Sequence, residues 1–439
     1  MDERDVVITG TGLLTPLGSS CDLNWQKVRA RETGISADPV EDLPASMRYR
    51  GRIGKVSLPP DLPPKLTGQV KFLNRSAIFG FLASHEAVTQ AGFPIDQVPP
   101  GRRALFIASG DYTKVGYDYM YAAVKDAVKD DEIDYARLNS AALDNVNPFF
   151  LLESLQNNLF SFLSAAVEFM GPNTSLSSLS PCGGQSIELA ARSIHMDKAD
   201  IALAVGYGSW INEVPLYELE SLGILSRCSS GARSFRPFDR RRDGFITGEG
   251  GAALFLEAYG PAKRRGARIL GSIRGTANYN EFNPEKGFTV PERVSHRSME
   301  LALEDAGCAP EKLGFIIAHG SGTPKGDRSE LASFAALLDG GKISVPVCGM
   351  KPYTGHLGAA SDIGEVILGI RAASEGIVPS TLNFSKTEKG FGSLKISAEE
   401  QPCRTDTFMS VSYGIGGQSS SVVVEIPSEG LTPGLGKVC

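Results

Sequence analysis

Two of the five histidines stand where an imidazole can do chemistry. His319 lies in AHGSGTPKGD (318–327), and His356 lies in KPYTGHLGAA (351–360), which also carries Lys351. Flanking glycines let the backbone approach a ligand closely, and an imidazole there can hold or move a proton near neutral pH. His85, His195 and His296 sit instead in polar stretches of helical character. Two more glycine-rich segments, SLSSLSPCGG (175–184) and SYGIGGQ (412–418), complete a set of four. Each follows a predicted strand, where α/β folds place their sites. The 175–184 segment offers a hydroxyl at Ser180 and a thiol at Cys182. Taken singly, such segments are more often plain turns, and Ser180 is one serine among those at 175, 177, 178, 180 and 186. Their joint order and spacing give them weight.

The elements that must position these segments alternate strand and helix along the whole chain. Apolar runs at 5–10, 103–109, 200–205, 252–257, 269–274, 314–318, 343–348, 409–413 and 420–426 read as strands, with 173–180 a smaller strand-like run. Helical spacing covers 23–30, 71–91, part of 147–170, 183–196, 293–306, 328–338 and 359–375. The order after residue 263 resembles the order before it, which predicts two α/β halves, 1–262 and 263–427, followed by a flexible tail at 428–439. Strands so uniformly apolar fit sheets covered on both faces.

Composition narrows the class. The chain has 439 residues, 42% hydrophobic and 21% charged, with 49 glycines and 26 prolines, which excludes a disordered or fibrous chain. A net charge of −6 argues against a general nucleic-acid binder. No apolar run approaches a membrane span, and the acidic start leads straight into a strand, so a cytoplasmic protein without a signal peptide is expected. The seven cysteines are scattered and form no C-x-x-C pair, so they read as apolar thiols rather than a zinc or redox motif. Arg240–Arg242 and the basic run 263–268 read as solvated charge.

Read together, the motifs resemble those of the β-ketoacyl synthases of the thiolase superfamily, the elongating type that works with an acyl carrier protein. That family carries AHGT-x-T-x-x-GD, matched at 318–327, and K-x-x-x-GH-x-x-GA, matched at Lys351 and 355–359. Its Gly-Phe-Gly-Gly loop is matched by Gly414-Ile415-Gly416-Gly417. Further matches lie at 5–16, 147–150 and 236–251, so the resemblance runs from residue 5 to about 426. It implies an α/β fold, the duplicated thiolase-like α-β-α-β-α layered sandwich, with its site between the halves at the foot of a pantetheine tunnel. It also implies an acyl carrier protein as partner and a dimer with an identical or related subunit. No metal or redox cofactor is implied, because the carrier brings its own phosphopantetheine.

Residue by residue, the resemblance assigns decarboxylation and condensation to His319 and His356. Lys351 would orient that cluster and Glu330 would hold Lys351. Ser321 and Thr323 would bond the pantetheine arm. Gly414 and Ile415 would form the loop over the site, with the N–H groups of Ser180 and Ile415 as oxyanion hole. Lys65, Lys71 and Arg75 fall where the family docks its acidic carrier.

The family's nucleophile is a cysteine eight residues after a Gly-Pro pair. Counting from Gly171-Pro172 reaches Ser180, and counting back from Ala190-Ala191-Arg192 reaches it again. Cys182 needs a two-residue slip and is the second candidate. Pro181 then fits the first helical turn, where its missing N–H does no harm. A serine hydroxyl is a weak nucleophile until a base takes its proton, so a neighbouring histidine is expected to serve it. Three readings stay open: an acyltransferase using Ser180, a decarboxylating or chain-length-factor-like partner that carries no acyl chain, and a synthase whose cysteine was replaced. Ile415, smaller than the family's phenylalanine, is expected to loosen the mouth of the acyl pocket.

Overall fold

In a computed structural model, the chain is described at residues 2–39, 43–60, 62–110, 118–150, 157–178, 180–282 and 290–427. Among these residues eleven strands form one mixed sheet. They are β1 (Val6–Leu14), β2 (Arg103–Ser109), β3 (Asn173–Ser177), β4 (Ile201–Ser209), β5 (Glu249–Ala258) and β6 (Gly271–Asn280). They continue as β7 (Phe315–Ala318), β8 (Pro346–Gly349), β9 (Lys395–Ile396), β10 (Thr407–Tyr413) and β11 (Gln418–Glu425). The spatial order is β9-β8-β7-β10-β11-β6-β1-β5-β4-β2-β3.

That order contains the same pattern twice. In β1-β5-β4-β2-β3 the strands follow as first, fifth, fourth, second and third in sequence, and β6-β11-β10-β7-β8 repeats it. The directions repeat too: the first two pairings in each set are antiparallel and the last two parallel. Among the described residues the two sets are joined into one sheet where β1 and β6 pair antiparallel, through Val6–Ile273, Val7–Ser272 and Ile8–Gly271.

Six principal helices cover the faces: α1 (Arg75–Ala91), α2 (Asn157–Val167), α3 (Cys182–His195), α4 (His296–Ala306), α5 (Pro324–Leu337) and α6 (Ala359–Ser374). Three apolar cores separate the layers. The first joins α1 and α2 to β2, β4 and β5 through residues such as Phe81, Phe162 and Phe255. The second joins the opposite face of those strands to α3, α6 and the second set, through Ile187, Ile363, Ile317 and Phe408. The third packs α4 and α5 outside β7, β8, β10 and β11, with Met299 and Phe334. The result is helix, sheet, helix, sheet, helix, the layered sandwich that the motifs implied.

Local chemistry explains the boundaries that moved. The helix expected from residue 71 starts at Arg75, because the Asn74 side chain accepts the Ala77 N–H as an N-cap, and Gly92 ends it in the left-handed conformation at φ 54°. The helix expected from 328 starts at Pro324, whose fixed φ suits a first turn. The strand expected to end at 274 runs to Asn280, since β11 pairs with it along its length, out to Asn280–Gln418. The expected tail at 428–439 and the start of the apolar helix within 147–170 lie outside the described residues.

Candidate active site

The four glycine-rich segments arrive at one place. β7, β8 and β10 run parallel, so their C-terminal ends open on the same side, and β3 delivers the fourth segment from the other half. A cavity of about 250 Å³ is lined there by Ser180, His319, His356, Ser321 and Thr323, with Gly414 and Ile415 at its loop side. Trp210, Phe245, Val290 and Val294 supply an apolar wall. Lys351 and Glu330 do not line it; both are buried behind the imidazoles.

The two rings are 5.1 Å apart, centre to centre, and inclined at 68°. His356 is sandwiched against Trp210 at 4.5 Å, and His319 packs on Tyr413 at 4.3 Å. His356 Nδ1 accepts the Gly358 N–H at 3.2 Å, and His319 Nδ1 accepts the Tyr413 N–H at 3.5 Å. Burial, reinforced by the Lys351 charge, holds both imidazoles well below their ordinary pKa, so both are neutral at pH 7. A neutral ring whose Nδ1 accepts must carry its proton on Nε2. The cavity therefore has two N–H donors and no imidazole lone pair to spare.

The partner expected for Lys351 is corrected by the structure. Its ammonium donates to Glu365 Oε1 at 2.9 Å and to the His319 carbonyl at 2.7 Å. Glu330 accepts the backbone N–H groups of His319 and Gly320, at 2.7 and 2.9 Å. It fixes the turn that presents His319 and reaches the lysine only through its field. Burial, with the nearby Asp327, pushes Glu330 up to about 8, while those two N–H bonds and Lys351 pull the other way. Glu365 is pushed up to about 7 by burial against the same lysine, and its Oε2 has no hydrogen-bond partner among the described residues.

Ser180 sits in the loop before α3, 3% exposed, and the thiol two positions on does not take its place. Cys182 is fully buried, donates to the Ser178 carbonyl at 2.9 Å and packs with Ala108 and Ala359; burial pushes its pKa far up. It is a packing thiol. Pro181 occupies the N-cap of α3 rather than its first turn, and the Ser180–Pro181 peptide is cis. The histidine expected to serve Ser180 is not its partner: the hydroxyl donates to Asp362 Oδ1 at 2.8 Å. Gly414 is a glycine for steric reasons, because a Cβ there would collide with the Ser180 carbonyl. Gly414→Ala is expected to cost about 1–3 kcal/mol of stability through overpacking, read as a lower midpoint of urea unfolding.

Ser321 Oγ bonds Thr323 at 2.8 Å, Tyr413 Oη at 3.0 Å and Asp327 at 3.1 Å, which makes that wall one connected polar ring. Ile415 is 69% exposed at the mouth. The three cations expected to dock a carrier, Lys65, Lys71 and Arg75, are all exposed, and Arg75 also pairs with Glu249 at 2.8 Å and lies over the Phe79 ring. The basic triplet is not wholly solvated: Arg242 is buried 3.6 Å from Asp327. In the other basic run, Arg265 pairs with Glu257.

Asp362, Glu365, Trp210 and Tyr413 were not marked by the motifs. A signal did exist for the first two: AASDIGEVILGI places two acids in an otherwise small and apolar helix, and α6 is buried on nearly every face. Among the described residues no group of three His, Cys, Asp or Glu side chains could hold a metal ion, and no helix is long and apolar enough to cross a membrane.

The layered, duplicated sandwich with its site between the halves is the thiolase-like fold. The model of the β-ketoacyl synthase N-terminal domain matches residues 3–262 and that of the C-terminal domain residues 270–385; the chain belongs to the β-ketoacyl synthase family. It is 28% identical over 435 residues to the 3-oxoacyl-[acyl-carrier-protein] synthase 2 of Coxiella burnetii, covering 97% of this chain and 99% of that one. The tetracenomycin polyketide synthase ketoacyl synthase alpha subunit of Streptomyces glaucescens is 28% identical over 433 residues, 97% of this chain and 98% of the relative. The ishigamide ketosynthase/chain length factor superposes with a TM-score of 0.80 at 22% identity, over 97% of this chain and 100% of that one, a likeness of fold.

Proposed function

We propose that the protein is a ketosynthase-like acyltransferase that acts on acyl-carrier-protein thioesters in fatty-acid or polyketide synthesis. Ser180 takes the acyl group from the carrier's pantetheine thiol. A malonyl thioester then loses carbon dioxide, and the electron pair left behind spreads onto the thioester oxygen. The Nε2–H groups of His319 and His356 meet that oxygen as it becomes charged, when such donors contribute most. Lys351, held by Glu365, fixes the His319 backbone and keeps both rings neutral, with Glu330 setting the turn. The enolate carbon attacks the ester carbonyl carbon on Ser180, and the N–H groups of Ser180 and Ile415 hold that second oxyanion; as it collapses the acyl C–O bond breaks, and the freed Ser180 oxygen takes a proton from water, leaving the lengthened chain on the carrier's sulphur. Ser321 and Thr323 flank the pantetheine arm.

The observation that carries this reading is one cavity lined by a hydroxyl and two imidazoles that have only N–H donors left to offer. The names of the C. burnetii and S. glaucescens relatives support the substrate class. The partners follow: an acyl carrier protein, and a second subunit, identical or related, for which β3, the end strand of the sheet among the described residues, offers a place to join.

Intact-protein mass spectrometry after incubation with an acyl carrier substrate tests it. An acyl adduct is expected on the native chain and on Cys182→Ala, and none on Ser180→Ala. A second reading, a non-acylating chain-length-factor-like partner, draws on the carboxylate that holds Ser180. No adduct from any donor, with product formed only when another subunit is added, would establish that reading instead.

A further inference from the structure

Taking Ser180 as the acyl carrier, we propose that Asp362 is the base that activates it, the part expected of a histidine. Three features of the geometry lead there. First, the Ser180 hydroxyl already points its proton at Asp362 Oδ1, 2.8 Å away. Second, the carboxylate is held in place to receive it. Asp362 projects from the first turn of α6, is 2% exposed, and its Oδ2 accepts the Gly183 N–H at 3.0 Å. Third, among the described residues the two cavity histidines are closed as alternatives. Each imidazole spends its Nδ1 on a backbone N–H, so neither has a lone pair for the serine proton.

A carboxylate is an ordinary base at best, and its setting improves it. Burial pushes Asp362 up to about 6, against the opposing pull of Lys351, the Ser180 hydroxyl and the N–H groups of Gly183 and Gly184. Among the described residues the other ionisable groups facing it are Glu365 on its own helix and Cys182 on α3. The group is thus ionised at pH 7 yet more basic than a surface aspartate, close to the optimum for proton transfer at neutral pH.

The step balances. As Ser180 Oγ attacks the thioester carbonyl carbon, its proton passes to Asp362 Oδ1 and the new C–O bond forms. The C–S bond breaks, the electron pair leaves on the pantetheine sulphur, and that sulphur takes the proton from Asp362. The acyl group moves from sulphur to oxygen and one proton moves the other way.

The rate of adduct formation on the intact chain, followed by quenched-flow mass spectrometry, tests the proposal. Asp362→Asn keeps the shape and the Gly183 contact while removing the base, and is expected to slow acylation by about 10²–10⁴-fold. In the native chain the rate should rise with pH through about 6, as the carboxylate ionises, and Asp362→Asn should lose that limb. Ser180→Cys supplies a nucleophile that forms its own anion more readily. Acylation of Ser180→Cys/Asp362→Asn within about tenfold of Ser180→Cys would therefore show an intact site and support the base role. An Asp362→Asn variant that acylates at the native rate or keeps the limb overturns the proposal and leaves Ser180 as acyl carrier. Loss of the adduct in the double variant as well makes Asp362 structural and likewise overturns it. A native chain that never forms an adduct overturns the underlying reading of Ser180, and the base role falls with it.

Discussion

Replacing His319 or His356 with alanine is expected to slow carbon dioxide release from a malonyl carrier thioester by about 10²–10³-fold each, the usual cost of removing one oxyanion donor. The two losses should not multiply, because the rings face one developing charge and act as a unit. His356→Gln is the informative control, since an amide N–H can replace part of the lost donor but cannot titrate. Both imidazoles are held neutral by burial and by Lys351, so carbon dioxide release should stay level from pH 6 to 8 as far as these rings decide it. Release of labelled carbon dioxide from a carboxyl-labelled malonyl thioester measures both effects. Unchanged release in both alanine variants would remove the rings from the reaction.

The second large effect is expected at Lys351. Its ammonium is 1% exposed and pairs with Glu365 at 2.9 Å, so Lys351→Met leaves a buried carboxyl without its counter-charge. Breaking such a pair from one side costs about 3–5 kcal/mol, whereas replacing both members by apolar groups is often neutral. The double variant Lys351→Met/Glu365→Leu should therefore be more stable than Lys351→Met alone, although the His319 carbonyl loses its donor in both. The pH dependence has a definite sign. The folded-state pKa of Glu365 is already raised by burial, to about 7, so its contribution is fully present below about 4.5 and lost as pH rises through about 7. Without the lysine that loss extends to higher pH, and Lys351→Met should be destabilised more at pH 8 than at pH 5. Urea unfolding at the two pH values reads the difference.

Much of this site was legible in the chain because its parts are local. A glycine-flanked histidine after an apolar strand needs only a few residues to be recognised, and 318–327 and 351–360 each carry their own turn chemistry. What failed were pairings. Glu330 and Glu365 are both acids on buried helices, and nothing in the spacing says which reaches Lys351; the depth of α6 in the central layer settles it. Ser180 and Asp362 lie 182 residues apart, and α3 meets α6 only because both fill the space between two sheet sets. Arg242 reads as a surface cation for the same reason: its partner, Asp327, is distant in sequence.

The sequence by itself determined the alternation of strand and helix, the duplication of the order, and the arrival of four glycine-rich turns at strand ends, since these follow from periodicity and short-range backbone sterics. Only the tertiary structure decided which lone pairs remain for chemistry. Burial sets every carboxyl and imidazole here against its charged form, and a proton's place then depends on whichever distant donor lies within about 3 Å.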